Sequence, residues 1–380
     1  MVETNDVYRK LQQHIDERMP VGFPPSESGA DIRILKNLFT PEEASLTLNL
    51  SALAEPIERI YKRVKDSGIS IKELEDKLDN LVKKGLIMGG SFNSPDKKLY
   101  STAQFAIGIF EFQVDKLTKE LAQDAADYSH EVFYKEFFKA NVPSQMRTIP
   151  IEQSVLPEHH ISTYDDVIKI IDNVDGPILI FNCVCKQEMD LLGKTCNVTE
   201  IRDTCMAFGN SAKGYMELGV GREVNKSEAM KRLEKYQELG LILQPNNSQD
   251  SAFICACCGD CCQNLLLVKK FPRPADYFTT NFHAIVDSEA CEGCNTCVER
   301  CQMEALSLIN NISTVDYDRC IGCGNCVATC ESGAIKLQKK EKEMVPPKTF
   351  DALLQKIMIK KRGFLGTMKM MGKMILKKQI

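Results

Sequence analysis

Apolar and polar positions alternate along the chain in blocks that predict helices first, then a mixture of strands and helices. Thr40 caps a helix opened by Pro41-Glu42-Glu43, with proline at the first helical position. A second helix spans about 53–65 and stops at Gly68. Ile71, Leu74, Leu78, Leu81 and Val82 form a stripe at helical spacing that ends at Lys83-Lys84-Gly85. A strand at 86–88, a turn from Gly89 to Asp96 and a strand at 98–101 follow. Residues 104–139 read as one long helix or two, with Phe105, Ile109, Phe112, Leu117, Tyr128 and Phe133 among the core contacts. Pro143 and Pro150 mark a linker, and His159 and His160, with no ligand spacing to any cysteine, read as a surface loop. Beyond it, a helix at 164–172 leads through Gly176-Pro177 to a strand at 178–181, and a capped helix at 227–239 stops at Gly240 before another strand.

The order of elements in the first hundred residues resembles winged helix-turn-helix domains. Phosphate binding, however, needs an excess of Lys and Arg. The would-be recognition helix sets Lys72, Lys77, Lys83 and Lys84 against Glu73, Glu75, Asp76 and Asp79, and residues 1–150 hold 20 basic and 23 acidic side chains. The expectation is a module for protein contact or packing; a redox-sensing transcription regulator is the alternative.

Cysteine changes the picture. The chain has 380 residues, 17 cysteines, no tryptophan and a net charge of −4. It opens without an apolar signal core or twin-arginine segment, so the expectation is a cytoplasmic protein with reduced thiols. No run of 18 apolar residues predicts a membrane span.

Eight cysteines stand as C-x2-C-x2-C-x3-C written twice, 29 residues apart: Cys291, Cys294, Cys297, Cys301, then Cys320, Cys323, Cys326, Cys330. Such spacing lets one loop supply three corners of a [4Fe–4S] cube while the fourth thiolate comes from the other repeat. Ala305-Leu306-Ser307-Leu308 matches Ala334-Ile335-Lys336-Leu337 at the same offset. Over about 283–340 the chain resembles dicluster bacterial-type ferredoxins. The resemblance implies cluster I on Cys291, Cys294, Cys297 and Cys330, and cluster II on Cys320, Cys323, Cys326 and Cys301. Where that family usually has proline after the fourth cysteine, this chain has Gln302 and Glu331.

The other nine cysteines form two patches. Cys183, Cys185, Cys196 and Cys205 follow the strand at 178–181, and Cys255, Cys257, Cys258, Cys261 and Cys262 crowd one segment. Each patch can hold its own cluster, or the two can share one; zinc suits either. The blocks GREVNKSEAM and ICACCGDCC, joined to a dicluster module, resemble a group of multi-cluster iron–sulfur proteins of anaerobic bacteria and archaea, which implies further cofactors without naming a substrate. No C-x3-C-x2-C, no G-x-G-x-x-G after a strand, no complete phosphate loop and no Ser/His/Asp constellation is present.

From Lys336 to the end there are 13 basic and 3 acidic residues. After Pro346-Pro347, Phe364, Leu365, Met368, Met371, Met374 and Ile375 can share a helix face, a pattern suited to an anionic membrane surface or an acidic partner.

The reading is therefore an α+β multidomain protein: a winged-helix-like and helical domain at 1–140, an α/β cysteine-rich middle domain at 141–282, a 2×[4Fe–4S] ferredoxin domain at 283–340 and a basic amphipathic tail at 341–380. Expected function is single-electron transfer between partner proteins in an anaerobic metabolism, more as a carrier or cluster-bearing oxidoreductase subunit than as a stand-alone enzyme. Redox proteins are the expected partners, with self-association as a further expectation, nucleic acid is not favoured, and the tail allows a peripheral place at the inner membrane face.

Overall fold

The structure is a computed structural model that describes residues 2–90, 98–139, 142–156, 161–375 and 379. The turn expected before Lys98, apart from Gly89 and Gly90, lies outside the described residues, as do His159 and His160. So do the side chains of the tail's expected apolar face, save Met368.

Helices α1 (Val2–Arg18) and α2 (Ala30–Leu38), which the sequence pattern did not reveal, pack ahead of α3 (Pro41–Thr47). Thr40 and Glu43 cap α3 reciprocally, as Ser70 and Glu73 do for α5 (Ile71–Lys83). Between them lie β1 (Glu55–Pro56) and α4 (Ile57–Val64), which starts later than the pattern suggested because Pro56 keeps the backbone extended. β2 (Ile87–Gly90) and β3 (Leu99–Thr102) complete an antiparallel sheet in the order β1-β3-β2.

The expected long helix at 104–139 is a difference. Residues 105–117 are irregular, and regular helix begins only after Thr118, whose hydroxyl accepts from Leu121 N–H, with α6 (Lys119–Tyr128) running on toward α7 (Tyr134–Phe137). The aromatic stripe is still core: Phe23, Phe105, Phe110, Tyr128 and Phe133 stack with ring centres 4.7–5.7 Å apart.

The middle region is built on α8 (Val167–Asp172), β4 (Ile178–Phe181), α9 (Val184–Leu191), β5 (Cys205–Phe208), α10 (Gly209–Glu217), β6 (Arg222–Val224), α11 (Lys226–Glu238), β7 (Ile242–Pro245), β8 (Phe253–Cys257) and α12 (Gln263–Val268). Its sheet runs β6-β4-β5-β8-β7 and every pairing is antiparallel. This corrects the α/β expectation: the connections return each strand beside its neighbour in the opposite direction, an α+β arrangement.

The last part comprises β9 (Phe282–Val286), α13 (Thr296–Arg300), β10 (Leu306–Ile309), β11 (Ile312–Val315) and β12 (Ile335–Lys339), with β9 on β12 and β10 on β11. The repeat is visible in the backbone. Gly293 and Gly322 share a positive φ, and so do Asn295 and Gly324, and Glu304 and Gly333. A side chain at Gly293 would strike the Asn311 carbonyl, and one at Gly322 the Phe282 carbonyl, again 29 residues apart, so both positions need glycine.

The tail is not free. α14 (Phe350–Ile375) buries Leu353, Ile357 and Met358, and Lys361 Nζ reaches Asp16 O (2.8 Å) and Glu136 Oε1 (3.1 Å). Its first half is thus part of the fold, and helical dihedrals break at Gly363. Among the described residues no helix is long and apolar enough to cross a membrane.

Candidate metal centres

Cys301, Cys320, Cys323 and Cys326 line one small cavity, closed by Ile321 and Leu337. Burial pushes the Cys323 thiol up to about 12 and Cys326 upward too, with the neighbouring thiolates adding to it. A cation bound there would offset the cost of the thiolate charge. Cys291 and Cys297 converge on Ser313: its N–H donates to Cys291 Sγ (3.4 Å) and its hydroxyl lies 3.2 Å from Cys297 Sγ. The matching bond in the other repeat is Ala284 N–H to Cys320 Sγ (3.5 Å). Cys330 packs in the same apolar cluster as Cys297, while Cys294 is exposed. The donor set, the close-packed glycines and the N–H groups aimed at sulfur fit iron–sulfur clusters.

Comparison with known families agrees. A model described as a 4Fe-4S dicluster domain matches residues 283–331, and a second of the same description matches 319–368. The C-terminal part is a dicluster ferredoxin-type domain. No curated protein gives a significant match to the chain.

This domain is locked onto the middle region. Gln302 Oε1 accepts from Gly259 N–H (2.8 Å), Asn325 Nδ2 donates to Gly240 O (2.7 Å), and Arg300 donates to the carbonyls of Gln237 and Glu238. The glutamine that replaces the ferredoxin proline therefore has a task, since proline has no side-chain acceptor to offer the Cys258–Cys261 turn.

The nine remaining thiols regroup. Six of them gather as a ring, in which Cys183, Cys185, Cys262, Cys257, Cys255 and Cys205 each neighbour the next and the last returns to the first. Cys205 and Cys255 are cross-strand partners with sulfurs 4.0 Å apart. Cys255 and Cys257 share a face of β8 by strand alternation, and Cys183 and Cys262 sit at the starts of α9 and α12. The six thiols titrate as one coupled set, in which contact with neighbouring sulfurs holds Cys183, Cys255 and Cys262 down and pushes Cys185, Cys205 and Cys257 up.

The ring lies on a crevice of about 1240 Å³ between the N-terminal part and the middle sheet, also lined by Glu111, Phe181, Asn182 and Tyr215. Burial raises the Glu111 carboxyl to about 8, helped by Cys255 and Cys183, although Gly108 N–H donates to it (2.6 Å). Glu188, fully buried on α9, is raised to about 8 by burial and accepts from Gln263 Nε2 (2.8 Å).

Cys196, Cys258 and Cys261 stand apart from the ring, grouped with Asp260. The patch expected from sequence as Cys183, Cys185, Cys196 and Cys205 is thus divided, and so is the 255–262 segment. Alternation along β8 was the available signal, since it turns Cys258 away from the face of Cys255 and Cys257.

Proposed function

We propose that this chain carries single electrons from a partner protein, through two [4Fe–4S] sites, to a metal centre held by the six-thiol ring. The ligands would be Cys291, Cys294, Cys297 and Cys330 for one cluster, and Cys301, Cys320, Cys323 and Cys326 for the other. A [4Fe–4S] cluster bound there takes up and releases one electron at a time. Ser313 N–H and Ala284 N–H stabilise thiolate charge in the two halves, and Ala305 N–H does so at Cys301 (3.2 Å).

The observation that carries the reading is one apolar core. Cys257 and Cys262 of the ring are buried in the same cluster that Cys301, Cys320 and Cys323 pack against, with Met303 and Ile321 between the elements. Exposed Cys294 marks the opposite loop as the docking point for a redox partner. The ring's six thiols supply at least the four ligands that a further iron–sulfur cube would need. The setting would be reducing, as in anaerobic cytoplasm.

Anaerobic purification with iron and sulfide analysis and EPR of the reduced protein tests this. Clearly more than about eight irons per chain is expected, since two cubes account for eight; a content of eight with no third EPR species would refute the ring as an iron site.

The crevice beside the ring favours a second reading, a subunit that reduces a small substrate there. A purified holoprotein turning over such a substrate with an artificial electron donor would support it. A redox-responsive DNA regulator is weaker. The element order and β1-β3-β2 sheet fit a winged helix, but Lys98 is held by Glu75 and Asp79 of α5 rather than left for phosphate. Specific gel-shift binding in one redox state would reverse that order.

A further inference from the structure

Cys196, Cys258, Cys261 and Asp260 lie on no path of the ring, yet three are buried and all four offer a ligand atom within 4.8 Å of one another. Cys196 Sγ is 3.6 Å from Cys258 Sγ and 3.7 Å from Asp260 Oδ1. Tetrahedral zinc with Zn–S bonds of about 2.3 Å places neighbouring sulfurs about 3.8 Å apart. A four-iron cube, with each thiolate on a separate iron, spreads its sulfurs much more widely. Lys186, fully buried on α9, sets Nζ 3.0 Å from Cys196 Sγ and 3.1 Å from Cys258 Sγ. Three thiolates and a carboxylate around a dication carry a net charge of −2, and the Lys186 ammonium halves it.

We propose that Cys196, Cys258, Cys261 and Asp260 bind one mononuclear zinc ion, separate from the iron–sulfur centres. The spacing of the 255–262 segment then has a reason. Its inner pair, Cys258 and Cys261, is a C-x2-C zinc knuckle, and its flanking members, Cys257 and Cys262, serve the ring. The ion pins the turn whose two ends deliver those ring thiols, and it ties in the loop between α9 and β5 through Cys196. Asp260 is already drawn to that loop by Asn197 N–H (2.6 Å). This site is independent of what the ring holds.

The test is metal analysis of the anaerobically purified full chain, with zinc X-ray absorption on the same sample. About one zinc per chain is expected, with a shell of about three sulfurs near 2.3 Å and one oxygen near 2.0 Å. Cys258→Ser should lower zinc at least about fivefold, whereas Cys257→Ser should leave it in place. Absorption on the unmodified protein needs no variant to fold. Absence of zinc, iron in the zinc shell, or equal zinc loss in both variants would overturn the proposal.

Discussion

The dicluster domain and the six-thiol region handle the same ligand in opposite ways. In the dicluster domain, ligands recur at short fixed spacing, one loop supplies most of a site, and the second repeat copies the first down to the N–H that meets the first sulfur, Cys291 or Cys320. In the middle region, ring members come from the starts of α9 and α12 and from β5 and β8, and adjacent cysteines go to different places. The lesson is that ligand spacing describes a site only where a single loop builds it. Where a sheet builds it, strand register and alternation decide which thiols meet.

The largest effect that separates the two regions concerns metal. Cys297→Ser, in the outer half of the dicluster domain, should remove about four irons and leave the other EPR signals unchanged. Cys323→Ser, which shares its core with Cys257 and Cys262, should remove a similar amount and also alter the middle-region signal. Identical spectra for the surviving centres in both variants would break the link between the regions.

Next in size is Arg147, buried with Asp165 in an ion pair extended by Asn281 Nδ2 (2.7 Å), from the residue just ahead of β9. Arg147→Met strands the Asp165 carboxylate and should cost about 3–5 kcal/mol in anaerobic denaturation. A loss under about 1 kcal/mol would mean that the pair contributes no more than an exposed one.

A smaller effect separates the regions by pH. Glu188 has a folded pKa of about 8 against an ordinary 4.5. Its protonated form is favoured by folding, so its contribution is complete below pH 4.5 and is lost as pH rises toward 8. Glu188→Gln should flatten stability across that window, and unchanged pH dependence would locate the effect elsewhere. Smallest is Gln302→Ala, which removes the bond to Gly259 N–H and should cost about 1 kcal/mol without changing iron content; iron loss would give that residue a part in holding the cluster.

Much of this was readable beforehand. A capping residue announced α3, an apolar stripe at helical spacing announced α5, Gly176-Pro177 announced β4, and the 29-residue repeat announced the dicluster domain. What stayed hidden depended on distant partners. α1 and α2 lack the start signals that α3 carries: α2 follows Gly29 with no side-chain cap. The irregular path at 105–117 is imposed by packing of Phe105 and Phe110 in the aromatic core, which no local periodicity records. The grouping of Asp260 with Cys258 and Cys261 was hidden because its remaining member, Cys196, comes from the distant loop between α9 and β5. The basic tail read as suited to an anionic surface or acidic partner, yet Lys361 is occupied by the Asp16 carbonyl and the Glu136 carboxylate of the N-terminal part.

The bonds from Gln302, Asn325 and Arg300 have a further consequence. A freely diffusing ferredoxin can offer either end to whatever it meets, and each delivery waits on a collision. Here one end is moulded into its socket, so on the proposed route the inward hop would have a fixed length and orientation whatever the protein concentration. The outward hop alone would then depend on chance encounter, and the exposed Cys294 loop is where it would be made. Such a molecule would be a one-ended carrier, selecting its partner at that tip.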